Sequence, residues 1–310
     1  MAPSRHPARE DPPLICQHQP PALCRRHHHK GNRQRMDNQT QAPELAPSNT
    51  TPPPRSTRTS GDRPRSKPAG GPRRVHIVLQ GKGGIGKTWV ASLIAQYLRE
   101  NGRLPVCFDT DPVNSSFVAI KALGAEPVVL VEDDAINITA VDAMIERILK
   151  EDAEVVMDNG AASFIPLSNY LIGDSVAEVI EAAGKQMMVH IILVGGGGAI
   201  DTANGLKDVV TQFPPSVRVM VWINEFFGPV AINGTPFMET QFYEQHKERL
   251  SGVITLLQQN PKTTGINLSE MAESKRTFAE MLADPAVFVM PKQRLTQYRR
   301  AVWDQLDAVL

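Results

Sequence analysis

Short apolar runs and longer segments of helical spacing alternate along residues 75–310. The short runs are rich in β-branched residues, which is typical of strands buried on both faces of a sheet. The predicted strands cover residues 75–79, 104–108, 127–131, 154–157, 187–194, 217–223 and 253–257. The predicted helices cover residues 89–100, 115–123, 139–150, 166–182, 200–212, 237–250, 268–283 and 291–309.

Strands that are separated by helices pair in parallel through right-handed crossovers. The pattern therefore predicts an α/β fold with a mostly parallel, doubly wound sheet, in a single domain of residues 74–310. Ligands of such sheets bind beyond the carboxyl ends of the strands. We expect the residues that carry chemistry to lie at those ends.

The composition is different before this domain. Residues 1–74 carry 14 of the 33 Lys and Arg residues and 5 of the 33 Asp and Glu residues, a net charge of +9, which leaves −9 on the other 236 residues. The same stretch holds 14 of the 25 prolines and has no Phe, Trp, Tyr or Val. It cannot bury enough apolar surface to offset the entropy lost on ordering. Residues 1–73 are therefore predicted to form a disordered, basic, Pro-rich tail.

Other interpretations of the tail stay open. Cys16, Cys24 and the histidine triplet at 27–29 could bind a metal, although their spacing fits no usual zinc module. The excess of Arg and Lys could make salt-sensitive contacts with nucleic acid or an acidic surface. Met36 is an internal methionine, and the natural start of the chain could lie there or later.

Several features of the sequence bear on where the protein resides. The longest apolar run, residues 187–194, is far shorter than the roughly 20 residues of a membrane-spanning helix. No apolar segment follows the N-terminus as it does in a secretory signal. Of the three cysteines only Cys107 lies in the domain, which suits a reducing compartment. We therefore expect a cytoplasmic protein without stable membrane insertion.

Residues 81–88, GlyLysGlyGlyIleGlyLysThr, match the phosphate-loop motif G-x-x-x-x-G-K-[ST] between a predicted strand and a predicted helix. Glycines let the backbone turn its N–H groups inward around an anion, and the helix that follows adds partial positive charge. Lys87 can reach the β and γ phosphates, and the Thr88 hydroxyl can ligate Mg²⁺. A glycine-rich turn without a binding role is the alternative interpretation. The strand before the motif and the helix after it favour the phosphate loop. The predicted nucleotide-binding residues are Gly83, Gly84, Ile85, Gly86, Lys87, Thr88 and Trp89.

Polar residues follow several of the predicted strands. Asp109 and Asp111 lie in PheAspThrAspPro after the second strand, and Asp158 follows GluValValMet. Such carboxylates can hold the water shell of Mg²⁺, and Asp111 is also placed to orient an attacking water. A lone Asp at a strand end is usually a helix cap, but three acids beside a phosphate loop favour a metal site. Asn224 also ends a strand, and chemistry alone leaves a turn-forming role as open as a binding role.

The phosphate loop has a second lysine, Lys82, in the form K-G-G-x-G-K-[ST]. In this it resembles the deviant phosphate-loop ATPases of the ParA/MinD group. The resemblance can be narrowed to one family within this group by four segments, residues 74–88, 108–114, 157–167 and 188–192. Together they resemble the TraL conjugal-transfer proteins of broad-host-range plasmids. The resemblance covers essentially residues 75–310, and the tail has no recognised counterpart.

This resemblance implies a P-loop NTPase fold in which ATP with Mg²⁺ drives formation of a sandwich homodimer. Lys82 would reach the partner subunit's nucleotide, Asp111 would position the hydrolytic water, and Asn224 would read adenine. Where the second switch of the family commonly reads Asp-x-Pro, Asp158 is followed by Asn159 and Gly160, so the register of that switch is open. The implied catalytic residues are Lys82, Lys87 and Asp111, and the implied metal residues are Thr88, Asp109 (the first switch acid) and Asp158 (the Walker B acid).

The function that the resemblance implies is a slow, partner-stimulated ATPase that positions or assembles the machinery of bacterial conjugation. Relaxosome or secretion-channel proteins would be its partners. The nearest alternative is a partition-type ATPase that binds DNA nonspecifically, which the net charge of −9 on the domain disfavours. The tail, or a cluster of Arg294, Arg299 and Arg300, could supply the missing positive charge.

Further alternatives come from other classes of protein. A membrane-positioning ATPase would need an interfacial helix, which usually carries Lys or Arg on its polar face. Residues 302–310 have an apolar stripe, but the polar face of this segment carries Asp304 and Asp307 instead. We interpret that stripe as core packing. An iron–sulfur reductase is disfavoured because Cys107 is the only cysteine of the domain. A small-molecule P-loop kinase stays possible.

Overall fold

A computed structural model describes residues 71–111, 114–132, 135–232 and 234–310. The predicted tail, with its proposed metal and nucleic-acid contacts, lies outside the described residues apart from its last three positions. In chain order the strands are β1 (Arg73–Val78), β2 (Val106–Asp109), β3 (Glu126–Pro127), β4 (Val131–Glu132), β5 (Ala135–Ile136), β6 (Val155–Asp158), β7 (Lys185–Val194), β8 (Arg218–Asn224), β9 (Ala231–Ile232), β10 (Thr235–Pro236) and β11 (Leu250–Leu256).

The α-helices alternate with these strands as the sequence pattern predicts. Within the described residues they are α1 (Lys87–Glu100), α2 (Ile138–Lys150), α3 (Phe164–Gly173), α4 (Val176–Ala182), α5 (Ala199–Gln212), α6 (Gln241–His246), α7 (Thr264–Glu273), α8 (Phe278–Ala283) and α9 (Val289–Asp307).

The main sheet has the strand order β11-β8-β7-β1-β6-β2-β3. Every neighbouring pair in it is parallel, so the predicted doubly wound, parallel α/β sheet is confirmed. Two short antiparallel ribbons, β4 with β5 and β9 with β10, stand apart from the sheet and were not predicted.

Two hydrophobic cores cover the two faces of the sheet. Along β7 the side chains alternate between them, because successive strand residues point to opposite faces. Val189 and Ile191 belong to the core that α2 to α5 cover, whereas Met188 and Ile192 belong to the core that α1 and α7 to α9 cover. Strands buried on both faces explain why the predicted strands are almost continuously apolar.

Several predicted elements are interrupted where side chains capture the backbone. The predicted helix 115–123 is wrong, because only a single 3₁₀ turn, Lys121–Leu123, forms there. The Asp109 carboxylate instead accepts hydrogen bonds from the N–H groups of Phe117 and Val118. The predicted strand 127–131 shrinks to β3, whose second residue, Pro127, has no N–H group with which to extend a ladder.

Three predicted helices are divided rather than continuous. Segment 166–182 breaks between α3 and α4 at Ser175, whose φ of 50° is left-handed. Segment 268–283 breaks at Lys275, with a φ of 56°, and restarts at a capping box formed by Thr277 and Glu280. Segment 237–250 breaks into the 3₁₀ turns Phe237–Glu239 and Lys247–Arg249 on either side of α6.

The C-terminal apolar stripe is part of the core, as predicted. Val302 and Trp303 are each 2% exposed and Leu306 is fully buried, all in the core beside α1. Among the helices that the structure describes, none has both the length and the apolar character that crossing a membrane requires.

A chain of buried hydrogen bonds runs across β8, β7 and β1. The Trp222 indole donates to His190 Nδ1 (3.0 Å), so His190 carries its proton on Nε2 and donates to His76 Nδ1 (2.9 Å). His76 Nε2 therefore donates to Glu154 (3.1 Å), which also accepts from Arg103 (2.9 Å). Burial lowers the pKa of both histidines, which favours their neutral forms. Because a neutral imidazole has one donor and one acceptor nitrogen, every hydrogen bond of the chain is donated in the same direction, from Trp222 toward Glu154.

Gln80, just beyond β1, fixes α5 against the start of the phosphate loop. Its amide nitrogen donates to the carbonyl oxygens of Ile192 (3.3 Å) and Thr202 (3.1 Å), and its oxygen accepts from the Gly81 N–H (2.9 Å). The side chain is buried against Gly205 of α5, where a Cβ atom would lie 2.3 Å from the Gln80 oxygen. Glycine at position 205 is therefore needed for this close approach.

Gly205→Ala is expected to lower the free energy of unfolding by about 1–3 kcal/mol, because the added methyl group forces Gln80 out of its buried position. Gly173→Ala, at the end of α3 with no atom within 4 Å of the new Cβ, is the control. It should leave stability unchanged or raise it by up to about 1 kcal/mol. Urea unfolding of both variants measures this, and equal stabilities would contradict the tight contact.

Candidate nucleotide site at the carboxyl edge of the sheet

The predicted phosphate loop leaves the carboxyl end of β1 and runs directly into α1, as predicted. Gly84 and Gly86 have φ values of 73° and 96°, which residues with a Cβ rarely adopt. A Cβ atom at Gly86 would also lie 3.1 Å from the Asn224 amide nitrogen. Glycine is therefore required here both by the backbone conformation and by the neighbouring side chain.

Lys87 is held inside the loop and is only 8% exposed. Its Nζ donates to the carbonyl oxygen of Lys82 at 2.9 Å. Burial lowers the pKa of Lys87, while the carboxylates of Asp158 and Asp111 act in the opposite direction. The cation is thus fixed beside two acids and bonded to a single backbone oxygen that an anion could replace.

The half-buried Thr88 and the buried Asp158 form a hydrogen-bonded pair next to this lysine. The Thr88 hydroxyl donates to Asp158 Oδ2 at 2.6 Å, while Asp158 Oδ1 is buried without a hydrogen-bond partner in the described part of the chain. Burial raises the pKa of Asp158 to about 7, the Thr88 hydrogen bond opposes this, and the nearby Asp109 carboxylate adds to it. An unpartnered carboxylate oxygen costs free energy unless a cation or its water shell satisfies it.

The donor set suits a hard cation with a water shell rather than a closed protein cage. Within the described residues, no group of three or more His, Cys, Asp or Glu side chains is arranged to hold a metal ion. Mg²⁺ commonly takes only one or two protein oxygens and fills its other positions with water and phosphate. The Thr88 hydroxyl and the open Asp158 oxygen fit that pattern.

Asp109 is occupied by backbone groups. Its carboxylate accepts from the N–H groups of Asp111 (3.1 Å), Phe117 (2.9 Å) and Val118 (3.0 Å), and the residue is 2% exposed. Burial raises the pKa of Asp109, and these three hydrogen bonds oppose the rise. The structure therefore shows Asp109 organising the loop after β2, a role that the sequence did not predict.

Asp111 lies directly against the end of β6. A Cβ atom at Gly160 would be 3.0 Å from the Asp111 Cα atom, so the glycine after Asp158 and Asn159 permits this approach. Asp111 Oδ1 accepts from the Asn114 N–H at 3.1 Å. The segment after β6 therefore lies against the segment after β2 at Gly160 and Asp111, and the role of Gly160 as a switch residue stays a prediction.

Asn224 joins the end of β8 to the phosphate loop. Its amide nitrogen donates to the carbonyl oxygen of Ile85 (3.0 Å), and its amide oxygen accepts from the Phe226 N–H (3.2 Å). The side chain therefore shapes a turn and supports the loop, and its role in binding the nucleotide stays a prediction.

A cavity of about 560 Å³ opens beside the phosphate loop. Trp89 lies on one side of it and contacts Tyr298, to which its indole donates at 3.4 Å. Sequence reasoning missed most of its walls, although the segments after β8 and β11 were findable because they leave the carboxyl ends of strands. Its lining includes Gly84, Ile85, Gly86, Trp89, Asn224, Phe226, Phe227, Leu257, Gln258, Gln259, Leu268 and Tyr298.

Lys82 lies outside this cradle. Its ammonium contacts the Asp201 carboxylate of α5 at 2.9 Å, and the two side chains are 44% and 55% exposed. Thus all the predicted site residues lie at one edge of the sheet, with Lys82 on its outer side. Their roles in catalysis and binding stay predictions.

The amino-acid sequence of the chain is similar to those of two known proteins. No protein-family model matches it. It is similar to a protein of Escherichia coli named Protein TraL, with 38% identity over 235 residues, which are 76% of this chain and 98% of that protein. A second Escherichia coli protein of the same name is 38% identical over 234 residues, which are 76% of this chain and 97% of that protein.

The chain is also similar to chains of known three-dimensional structure. The chain is similar to a chain of the MinC:MinD cell division protein complex of Aquifex aeolicus, with 15% identity, 73% of this chain and 94% of that chain covered, and a TM-score of 0.41. It is also similar to a putative plasmid partition protein of Borrelia burgdorferi bound to AMPPNP, with 13% identity, 77% and 100% covered, and a TM-score of 0.39.

Asp158→Asn is expected to stabilise the nucleotide-free protein at pH 8 by up to about 4 kcal/mol. The pKa of Asp158 in the folded state, about 7, lies above its ordinary value of 3.8, so the folded state penalises the charged carboxylate. That penalty is full above pH 7 and disappears as the pH falls toward 3.8. The gain should therefore shrink by about 2.5 kcal/mol between pH 8 and pH 5.

Urea unfolding of wild type and variant at both pH values measures the difference in their free energies of unfolding. Groups that titrate alike in both proteins cancel in this difference. Asp152→Asn, whose side chain is 95% exposed, is the control and should show no such pH-dependent gain. A gain for Asp158→Asn that is equal at pH 8 and pH 5 would contradict the raised pKa.

Proposed function

The chain belongs to the TraL family, and on that premise we propose that it is a Mg²⁺-dependent ATPase that acts in plasmid conjugal transfer. In this proposal ATP controls a dimerisation switch that positions or assembles transfer proteins. The observation that carries the proposal is the hydrogen bond from Thr88 to the buried Asp158, which has one open carboxylate oxygen, next to a glycine loop and a buried lysine.

The phosphates of ATP would occupy the loop of residues 83–88. Lys87 would exchange its single bond to the Lys82 carbonyl oxygen for the β and γ phosphates, where a charge-assisted bond is stronger. The loop N–H groups and the first turn of α1 would complete the anion site. The buried position of Lys87 supports this, because an anion would stabilise a cation that burial now disfavours.

Mg²⁺ would be held by the Thr88 hydroxyl and, directly or through water, by Asp158. When bound, the ion would neutralise charge on the phosphate oxygens. Asp109 would act through the loop that it organises rather than as a direct ligand, because its oxygens already accept three N–H groups. Asp111, which contacts Gly160, would position the attacking water beside the γ-phosphate.

The base and ribose would enter the cavity beside Trp89. Its volume of about 560 Å³ lies within the range of small-ligand pockets, about 300–1,000 Å³. Phe226 and Leu257 supply exposed apolar surface at its mouth, where a planar base could stack. Asn224 would act mainly by supporting the loop, with the second proton of its amide nitrogen left for the base.

The position of Lys82, on the outer side of the loop, supports the proposed dimeric state. Its ammonium is half-exposed and does not contact its own phosphate cradle. A lysine in that position can reach a nucleotide that faces it on a second copy of the chain. Transfer proteins would then recognise the ATP-bound dimer.

Nonspecific DNA binding is the weaker alternative. The net charge of residues 75–310 is −9. Of the candidate arginine cluster, Arg299 is paired with Glu100 (3.1 Å) and Arg294 bonds to the Asn267 side chain (3.4 Å). The Glu100 carboxylate offsets the charge of Arg299, which reduces the positive charge that the cluster offers to phosphates.

Lys87→Ala is expected to weaken ATP binding at least tenfold and to abolish measurable hydrolysis. Charge-assisted hydrogen bonds of this kind contribute about 1.5–3 kcal/mol. Lys121→Ala, which removes an exposed lysine away from the loop, is the control and should bind ATP like wild type. Titration calorimetry with ATP and Mg²⁺ measures the affinities, and an unchanged affinity for Lys87→Ala would refute the phosphate site.

Lys82→Ala is expected to bind ATP nearly as wild type does but to lose ATP-dependent dimerisation and to hydrolyse ATP more slowly. The physical reason is that its contact with phosphate exists only across two subunits. Sedimentation velocity with a slowly hydrolysed ATP analogue measures the balance of monomer and dimer, with Asp111→Ala as a trapped-dimer control. The same balance in wild type and Lys82→Ala, with and without nucleotide, would refute the switch.

A further inference from the structure

We propose that Asn159 is a positioning residue for ATP hydrolysis, which holds Asp111 in place through its contacts with Thr110 and Gly160. This inference rests on the proposed function, in which Asp111 positions the attacking water. Asn159 and Gly160 follow Asp158 where the second switch of the family commonly reads Asp-x-Pro. The side-chain contacts of Asn159 therefore accompany a sequence that departs from that pattern.

The Asn159 side chain joins the segment after β6 to the segment after β2, and the residue is 1% exposed. Its amide nitrogen donates to the carbonyl oxygen of Gly160 at 2.9 Å. Because a carbonyl oxygen can only accept, the amide nitrogen must face Gly160, and the amide oxygen faces Thr110. The hydroxyl of the fully buried Thr110 lies 3.1 Å from that oxygen and donates to it. The orientation of the amide is thus fixed from both sides.

Thr110 is bonded to the segment after β6 by further groups. Its N–H donates to the Asp158 carbonyl oxygen at 2.9 Å, and its hydroxyl has that oxygen as a second acceptor at 3.2 Å. The hydroxyl of the fully buried Ser163 donates to the Thr110 carbonyl oxygen at 3.4 Å. Residues 109–111 and 158–163 therefore form one hydrogen-bonded unit, with Asn159 inside it.

Asp111 takes its position from both segments of this unit. Thr110 precedes it in the chain, and Gly160 lies against it, since a Cβ atom at Gly160 would be 3.0 Å from the Asp111 Cα atom and 3.2 Å from its carboxyl carbon. The bond from Asn159 to the Gly160 carbonyl oxygen fixes the peptide plane beside Asp111, because peptide units are planar and trans. The polar atoms of the Asn159 side chain bond inside the protein, so we expect Asn159 to act through Asp111.

The rate of hydrolysis should depend strongly on this placement. A misplacement of about 1 Å, caused by a change far from the reacting atoms, can lower a rate by about 100-fold. Neither the phosphate loop nor the hydrogen bond from Thr88 to Asp158 involves the Asn159 amide. Loss of the amide should therefore slow hydrolysis without weakening the binding of ATP, as expected for an interaction that matters in the transition state.

The test measures single-turnover hydrolysis of labelled ATP with Mg²⁺ by an excess of the full-length protein, which reports slow rates without a partner. Asn159→Ala and Thr110→Val should each lower the rate by about 10- to 100-fold and should bind ATP as tightly as wild type does. Thr110→Ser, which keeps the hydroxyl, should recover most of the rate lost in Thr110→Val. Asn169→Ala, which removes an exposed amide from α3, is the control and should hydrolyse ATP like wild type.

A double variant shows whether Asn159 and Thr110 act as one unit. If they do, Asn159→Ala combined with Thr110→Val should match the slower single variant within about twofold. Unchanged hydrolysis in Asn159→Ala, a loss of ATP affinity as large as the loss of rate, or losses that multiply in the double variant would each overturn the proposal.

A second measurement does not depend on hydrolysis. Hydrogen exchange of the nucleotide-free protein, followed by mass spectrometry, reports how often residues 159–164 open. Exchange there should be faster in Asn159→Ala and in Thr110→Val than in wild type, and unchanged in Asn169→Ala. Unchanged exchange in the first two variants would overturn the proposal. Faster exchange, together with a wild type that neither binds nor hydrolyses ATP, would confirm the hydrogen-bonded unit but refute the proposed function and with it the role of Asn159 in hydrolysis.

Discussion

The parallel register of β1, β6 and β2 is the constraint on which the rest of the site depends. In this register Val78 of β1 and Asp109 of β2 both lie opposite Asp158 of β6. Because parallel strands end at the same edge, the phosphate loop and the two acids meet although they are far apart in sequence. A register shift of one residue would turn Asp158 to the other face of the sheet and separate it from Thr88.

This register places charge where burial makes it costly. Lys87 and Asp158 are both buried, and burial lowers the pKa of the first and raises the pKa of the second. Buried charges of this kind are stabilised by opposite charges and hydrogen bonds rather than by water. A phosphate beside Lys87 and Mg²⁺ beside Asp158 would supply the opposite charges. Ligand binding would therefore stabilise the charged forms of both residues.

Much of the fold and of the site was predictable because the sequence signals were local and strong. The β-branched runs gave the strands, and a glycine loop between strand and helix gave the position of Lys87 and Thr88. Acids at strand ends gave Asp109, Asp111 and Asp158, because parallel strands bring their carboxyl ends together.

The remainder depends on contacts that no local pattern reveals. The helix predicted at 115–123 does not form. The carboxylate of Asp109, at the end of β2, accepts hydrogen bonds from the backbone N–H groups of Phe117 and Val118 in that segment. The cavity walls come from the segments after β8 and β11 and from α7 and α9, which only the tertiary fold assembles. The partner of Lys82 lies 119 positions away on α5 and belongs to no motif.

The most direct test of the account is a crystal structure of the protein with Mg²⁺ and a slowly hydrolysed ATP analogue. The proposed dimerisation switch predicts two copies whose nucleotides face each other, with Mg²⁺ next to Thr88 and Asp158. Each Lys82 ammonium should lie within hydrogen-bonding distance of the partner subunit's phosphates and away from its own Asp201. A nucleotide-bound monomer in which Lys82 still contacts Asp201, or a nucleotide bound away from the loop of residues 81–88, would contradict it.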